Sequence, residues 1–134
     1  MQWQQLVRDV SVSGRYATSA EAERVVLAVL TVLGGHVSGE ERCELARLLP
    51  PQAAEVLVQQ VPLTQPLTAP AFVDAVADRL APLSSPEARW ATGTVLTLIA
   101  DRAGESLTRR ILAELPRGYA LLFGRAELTP ALAA

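Results

Sequence analysis

Two stretches of the chain nearly coincide: VLTVL at Val29–Leu33 and VLTLI at Val95–Ile99, 66 residues apart in a chain of 134. The same offset of 66 brings together Val7 with Val73, Val10 with Val76, Ser19 with Ser85, Glu21 with Glu87, Leu49-Pro50 with Leu115-Pro116 and Ala54 with Ala120. Only the loop Ser38-Gly39-Glu40 slips, matching Ala103-Gly104-Glu105 at an offset of 65. An internal repeat constrains the fold more than any single motif. A unit of about 65 residues has a marginal core. Two such units therefore have to bury their apolar faces against one another. The expected organisation is one domain over residues 1–134, with repeats at 3–60 and 69–126 joined by a linker at 61–70.

Each unit reads as helices. Trp3, Leu6, Val7 and Val10 recur at i, i+3, i+4, i+7, one face of a helix. Thr18-Ser19-Ala20-Glu21 and Ser84-Ser85-Pro86-Glu87 each place a hydroxyl three residues before a glutamate, the pattern of a capping box. The central helices that follow, 19–33 and 85–100, are apolar around much of their circumference and are expected to be buried against each other near a pseudo-twofold. Gly34-Gly35 is expected to end the first of them in a left-handed conformation. Ser38 and Glu41 then start a third helix with Leu45, Leu48 and Leu49 inside, answered by Leu107, Ile111, Leu112 and Leu115 in the second unit. Pro50 and Pro116 stop these helices, because a residue before proline leaves the helical region. Short fourth helices follow at 52–60 and 118–123, and VPLTQPLTAP at 61–70 reads as an extended linker. The β-branched residues fall at helical spacing, so the fold class is all-α: a helical bundle of two pseudo-symmetric halves of about four helices each.

Composition narrows the function classes. Half of the residues are hydrophobic and 19% are charged, below the usual ~25%. A surface so poor in charge points to apolar area covered by a protein partner or a second copy. All twelve basic residues are arginine, with neither lysine nor asparagine present, which is read as the bias of a GC-rich bacterial genome. The arginines are scattered and the pI is about 5.4, so no nucleic-acid partner is expected. The longest apolar run, Val25–Leu33, has nine residues where a bilayer span needs about twenty. With one cysteine and no basic-apolar leader pattern at the N-terminus, a cytoplasmic location without membrane attachment is expected.

Catalytic constellations are sparse. His36 and Cys43 are the single histidine and cysteine, seven residues apart, and no metal-ligand spacing accompanies them. They form the one nucleophile–base pair on offer. His36, in a Gly-Gly-His-Val-Ser turn, is expected to be exposed, and Cys43 to be a small, partly buried helix residue. Glu40, Glu41 and Glu44 crowd one helix start, where the macrodipole favours negative charge. Glu105 with Arg109, and Arg110 with Glu114, are i, i+4 pairs. Gly93 is expected to permit a close helix approach. The aromatic residues are expected in the core, with Trp90 singled out: its counterpart is Arg24, so the position tolerates solvent and an exposed indole there would anchor an interface.

GEERCELARLLP and GESLTRRILAELPRGYALLF carry a resemblance that covers Trp3 to about Phe123. Their Gly-Glu starts, Leu-Pro stops and the ending built from Leu115, Pro116, Tyr119, Leu122 and Phe123 resemble the bacterial family catalogued as domain of unknown function 2267. The resemblance implies an all-helical protein of two related halves and brings no catalytic residue with it. In the first half Ala53 stands where the ending has Tyr119, which makes Tyr119 a second candidate interface residue beside Trp90. The expected function is a non-enzymatic interaction or scaffold module, with a homo-oligomer or protein partner, no cofactor and no metal. The alternative is a bundle that binds a small apolar ligand between its two halves.

Overall fold

The computed structural model describes residues 2–126; the expected domain limits extend to residues 1 and 127–134, which lie outside the described residues. The described residues form helices and no strand. The helices are α1 (Trp3–Gly14), α2 (Ser19–Gly34), α3 (Gly39–Leu48), α4 (Pro51–Gln59), α5 (Ala69–Arg79), α6 (Ser85–Ala103), α7 (Glu105–Ala113) and α8 (Tyr119–Leu122). The starts of α5, α6 and α7 fall 66 residues after those of α1, α2 and α3.

The central helices α2 and α6 pack on each other. Val25, Val26, Val29, Leu30 and Leu33 of α2 and Ala88, Ala91, Val95, Leu96 and Ile99 of α6 are buried. Each first helix then lies on the other half's central helix, α1 on α6 and α5 on α2, and α3 meets α7. These pairings keep their pattern when the halves are exchanged. Burial of apolar area, at roughly 25 cal/mol per Å², is what holds such faces together.

The helix ends follow the sequence where local chemistry suffices. The Thr18 hydroxyl accepts from the Glu21 N–H at 3.1 Å. At α6 the full box forms: the Glu87 N–H donates to the Ser84 hydroxyl at 3.3 Å, and the Ser84 N–H donates to the Glu87 carboxylate at 3.0 Å. Ser38 departs from the expectation. It is extended at the N-cap position of α3, but its side chain makes no capping bond.

The Gly34-Gly35 pair also acts otherwise than expected. Gly34 lies inside α2 and Gly35 is right-handed, with φ −79°. A β-carbon on Gly34 would stand 2.6 Å from the Leu57 carbonyl oxygen and 2.4 Å from the Gln60 side chain. Glycine is required there by the approach of α4, not by its backbone angle. Gly93, conversely, has only the Leu122 carbonyl near it, at 4.0 Å. No helix crowds it, so the expected close approach is absent.

One side chain absent from the sequence reasoning binds the first half together. The Arg42 guanidinium donates through Nη1 to the carbonyls of Gly34 (2.7 Å) and Val37 (3.0 Å), and through Nη2 to those of Leu57 (3.1 Å) and Val58 (2.8 Å) and to that of Gln60. The last carbonyls of a helix have no intrahelical donor. A planar fork of five N–H groups can satisfy several at once, and a positive charge there also suits the dipole. Arg42 thereby caps α2 and α4 together. Arg42→Ala is expected to cost about 3 kcal/mol in urea unfolding. Arg42→Lys is expected to recover only part of it, because an ammonium cannot span both helix ends.

Candidate functional site

Two places concentrate chemistry: a polar cluster where the linker crosses the bundle, and a groove on the second half. The linker is not loose. The Leu63 N–H donates to the Gly35 carbonyl at 2.9 Å, and the Leu67 N–H donates to Nε2 of His36 at 3.0 Å. The Tyr119 hydroxyl donates to the Leu67 carbonyl at 2.7 Å. Nδ1 of His36 lies 2.9 Å from the Val32 carbonyl. These partners assign the tautomer: Nδ1 carries the proton and Nε2 is bare. The His36 ring stands edge-on to Phe72, centroids 5.1 Å apart, and Phe72 edge-on to Tyr119 at 5.6 Å.

His36 is thus buried, against the expectation of an exposed turn residue. The turn after α2 folds inward because Leu67 and Tyr119, from distant parts of the chain, close over it. Burial holds its pKa below the ordinary 6.5, with the Val32 carbonyl opposing the shift. Both nitrogens are engaged, so neither is free to take a proton from a thiol. Cys43 corrects its expectation in the opposite sense: it is exposed on the outer face of α3. The pair offers no nucleophile with its base. Among the described residues no group of histidine, cysteine, aspartate and glutamate converges as metal ligands.

Tyr119, expected as a candidate interface residue, is 1% exposed and buried within this chain. Its ring fills the core between His36 and Phe72, and burial pushes its phenol well above 10. Trp90 is 54% exposed. Its indole N–H donates to the Gly14 carbonyl at 3.0 Å, which fixes the ring over the end of α1. The charged pairs also differ from the local ones expected. Arg110 binds Glu44 at 2.5 and 2.9 Å and Glu41 at 3.2 Å, tying α7 to α3 across the halves instead of reaching Glu114. The Arg110 guanidinium holds the Glu44 carboxyl below its usual range. Glu105 pairs with Arg125 at 3.0 Å. Glu114 is the C-cap of α7 and makes no ion pair with Arg110, whose guanidinium is taken by Glu41 and Glu44.

The groove runs along α6. One lobe of about 930 Å³ lies between α5, α6 and α8, with Ala69, Val73 and Leu122 on its wall. A second lobe of about 580 Å³ continues past Trp90 and Gly93 toward Asp101. Pro86, Arg89, Leu121 and Leu122 line both. Leu121 is 57% exposed. The expected ligand position between the halves is closed along the α2–α6 contact, where Val29 and Val95 are fully buried. The larger lobe of the groove is lined by the second half, and Ser13 of the first half joins the lining of the smaller lobe.

His36 gives the fold a pH dependence. Its folded pKa is lowered, so below about 6.5 the unfolded chain binds the proton more readily. Stability present at neutral pH is therefore expected to fall as the pH drops below about 6.5. Urea unfolding from pH 7.5 to 5 should show that slope, and His36→Leu should remove it.

The chain compares with known proteins at one level. No curated protein matches it. No described helix is long and apolar enough to cross a membrane. A family model described as "Uncharacterized conserved protein (DUF2267)" matches residues 3–122, and the chain belongs to that family.

Proposed function

We propose that this protein is a non-enzymatic interaction module that self-associates through the exposed face of α6 and α8. The carrying observation is the fixed, half-exposed indole of Trp90 beside exposed Leu121. An aromatic ring already held by a hydrogen bond loses little freedom on docking, and such rings dominate interface energies. The low charge content supports the same reading, since interface cores are depleted of charge.

The module is read as a single domain of two copies of one unit about a pseudo-twofold, supported by the pairing of α1 with α6 and α5 with α2. It is placed in the cytoplasm of a bacterium with a GC-rich genome, on the strength of one cysteine, an exposed thiol and the all-arginine basic residues. A nucleic-acid partner is not part of the reading. A second reading, a small apolar ligand held by the bundle, is favoured by the groove along α6.

Sedimentation velocity over a hundredfold range of concentration is expected to show a monomer–dimer equilibrium. Trp90→Ala with Leu121→Glu should shift it to monomer with the fold unchanged by circular dichroism. A strict monomer at every concentration would overturn self-association.

A further inference from the structure

The two halves differ where the groove opens. At the repeat offset of 66, Ala69 stands where the first half has Trp3, and Gly93 where it has Leu27. Trp3 packs against the buried core. In the second half that indole is missing, and Gly118, with φ +97°, brings the chain close to Ala69 without a side chain. The larger lobe lies at Ala69 and the smaller at Gly93. The groove thus lies at two positions where the first copy carries a large apolar side chain and the second carries alanine or glycine.

Its charges differ as well. The larger lobe is rimmed by Arg89, Arg117 and Asp74. The corresponding positions in the first half are Glu23, Pro51 and Arg8. The rim therefore carries a net single positive charge, one negative against two positive, where the first half carries none. Both arginines are exposed. Among the described residues neither guanidinium has a hydrogen bond or an ion pair, and nor do those of Arg8, Arg15, Arg24, Arg79 and Arg109. An apolar trough with free guanidinium forks at its edge matches an apolar chain that ends in an anionic group such as a carboxylate.

We propose that the groove along α6 binds a medium-chain fatty acid or a like acyl carboxylate. The chain lies on Ala69, Val73 and Leu122, and the carboxylate is held by Arg89 and Arg117. Asp74 keeps the carboxylate at the arginine side of the lobe. The site shares Leu121 with the self-association face, but the seat for the chain and the two arginines include neither the Trp90 ring nor a second copy.

Calorimetric titration of the whole chain with decanoate, and with decanol as the neutral twin, tests it. Saturable binding of one decanoate per chain is expected, about tenfold or more tighter than decanol, since hydrogen bonds to a charged group set the two apart. Arg89→Ala with Arg117→Ala, both on the surface, should abolish that preference. Ala69→Trp, which returns the side chain of the first half, should block both ligands. Should the Ala69→Trp chain not fold beside Gly118, the arginine pair decides alone. Absence of saturable binding, equal affinity for decanol, or an unchanged preference in the arginine variant would overturn the proposal. A strict monomer that binds decanoate overturns self-association alone; a Trp90→Ala monomer indifferent to decanoate overturns this site alone.

Discussion

The guanidinium of Arg42 is the point on which the first half depends. It gathers carbonyls from the end of α2, from the turn that follows, and from the end of α4. Without it these carbonyls would face one another around Gly34, with no N–H to satisfy them, where the chains are already in contact. Buried carbonyls left unpaired cost about 1–3 kcal/mol each. The positions of the turn at His36 and of the departing linker both follow from this knot, since Gln60 and Val37 are two of its members. The second half solves the same problem more lightly. Thr108, the counterpart of Arg42, gives its hydroxyl to the carbonyl of Ala100, the counterpart of Gly34, at 3.3 Å. One hydroxyl closes one carbonyl. The segment after α8 is tied down by Arg125 instead, through Asp101 at 3.2 Å and Glu105 at 3.0 Å.

That difference explains how the linker becomes structural. A helix end held by a five-fold donor is rigid enough to support further bonds, so Leu63 and Leu67 lie down on Gly35 and His36. Tyr119 then reaches from the second half to the Leu67 carbonyl. The connection between the repeats is thereby stitched to both of them, and the aromatic group of His36, Phe72 and Tyr119 fills the gap it would otherwise leave. The single copy of Tyr119 follows from this: there is one linker to hold, so the first half keeps Ala53 at the matching position.

Most helix starts and stops and the buried faces of α2 and α6 were legible in the sequence because they depend on neighbours within a turn or two, whereas Leu48, expected inside, is 42% exposed. Thr18 and Ser84 cap residues three positions ahead, and the apolar stripe of α2 has a period of its own. Arg42 left no such mark. Its partners lie 5 to 18 residues away in the sequence, and an arginine on a charged helix looks like solvated surface. His36 misled for the same reason, since its burial is made by Leu67 and Tyr119, not by its own turn. Arg110 showed one glutamate, Glu114, within helical reach, yet the geometry of α3 against α7 gives it Glu41 and Glu44. The exposed indole of Trp90 was legible through its counterpart, Arg24, because a position that accepts arginine in one copy is open to water in both.

The repeat is therefore most informative where it fails. Two copies under one set of packing constraints keep the residues both need, which is why Val29 and Val95 or Ala22 and Ala88 agree and are fully buried. A side chain lost from one copy leaves a hole unless its neighbours move in, and close-packed cores fill such holes only in part. At Ala69 the neighbour that could have moved in is Gly118, which has no side chain to offer, and α8 ends at Leu122 where α4 continues to Gln59. The second half thus carries fewer covering atoms than the first in three places near α6. Random loss would scatter such gaps, and most would be costly. Gaps that join into one groove, with unpaired positive charge at its edge, cost less if something else occupies the space.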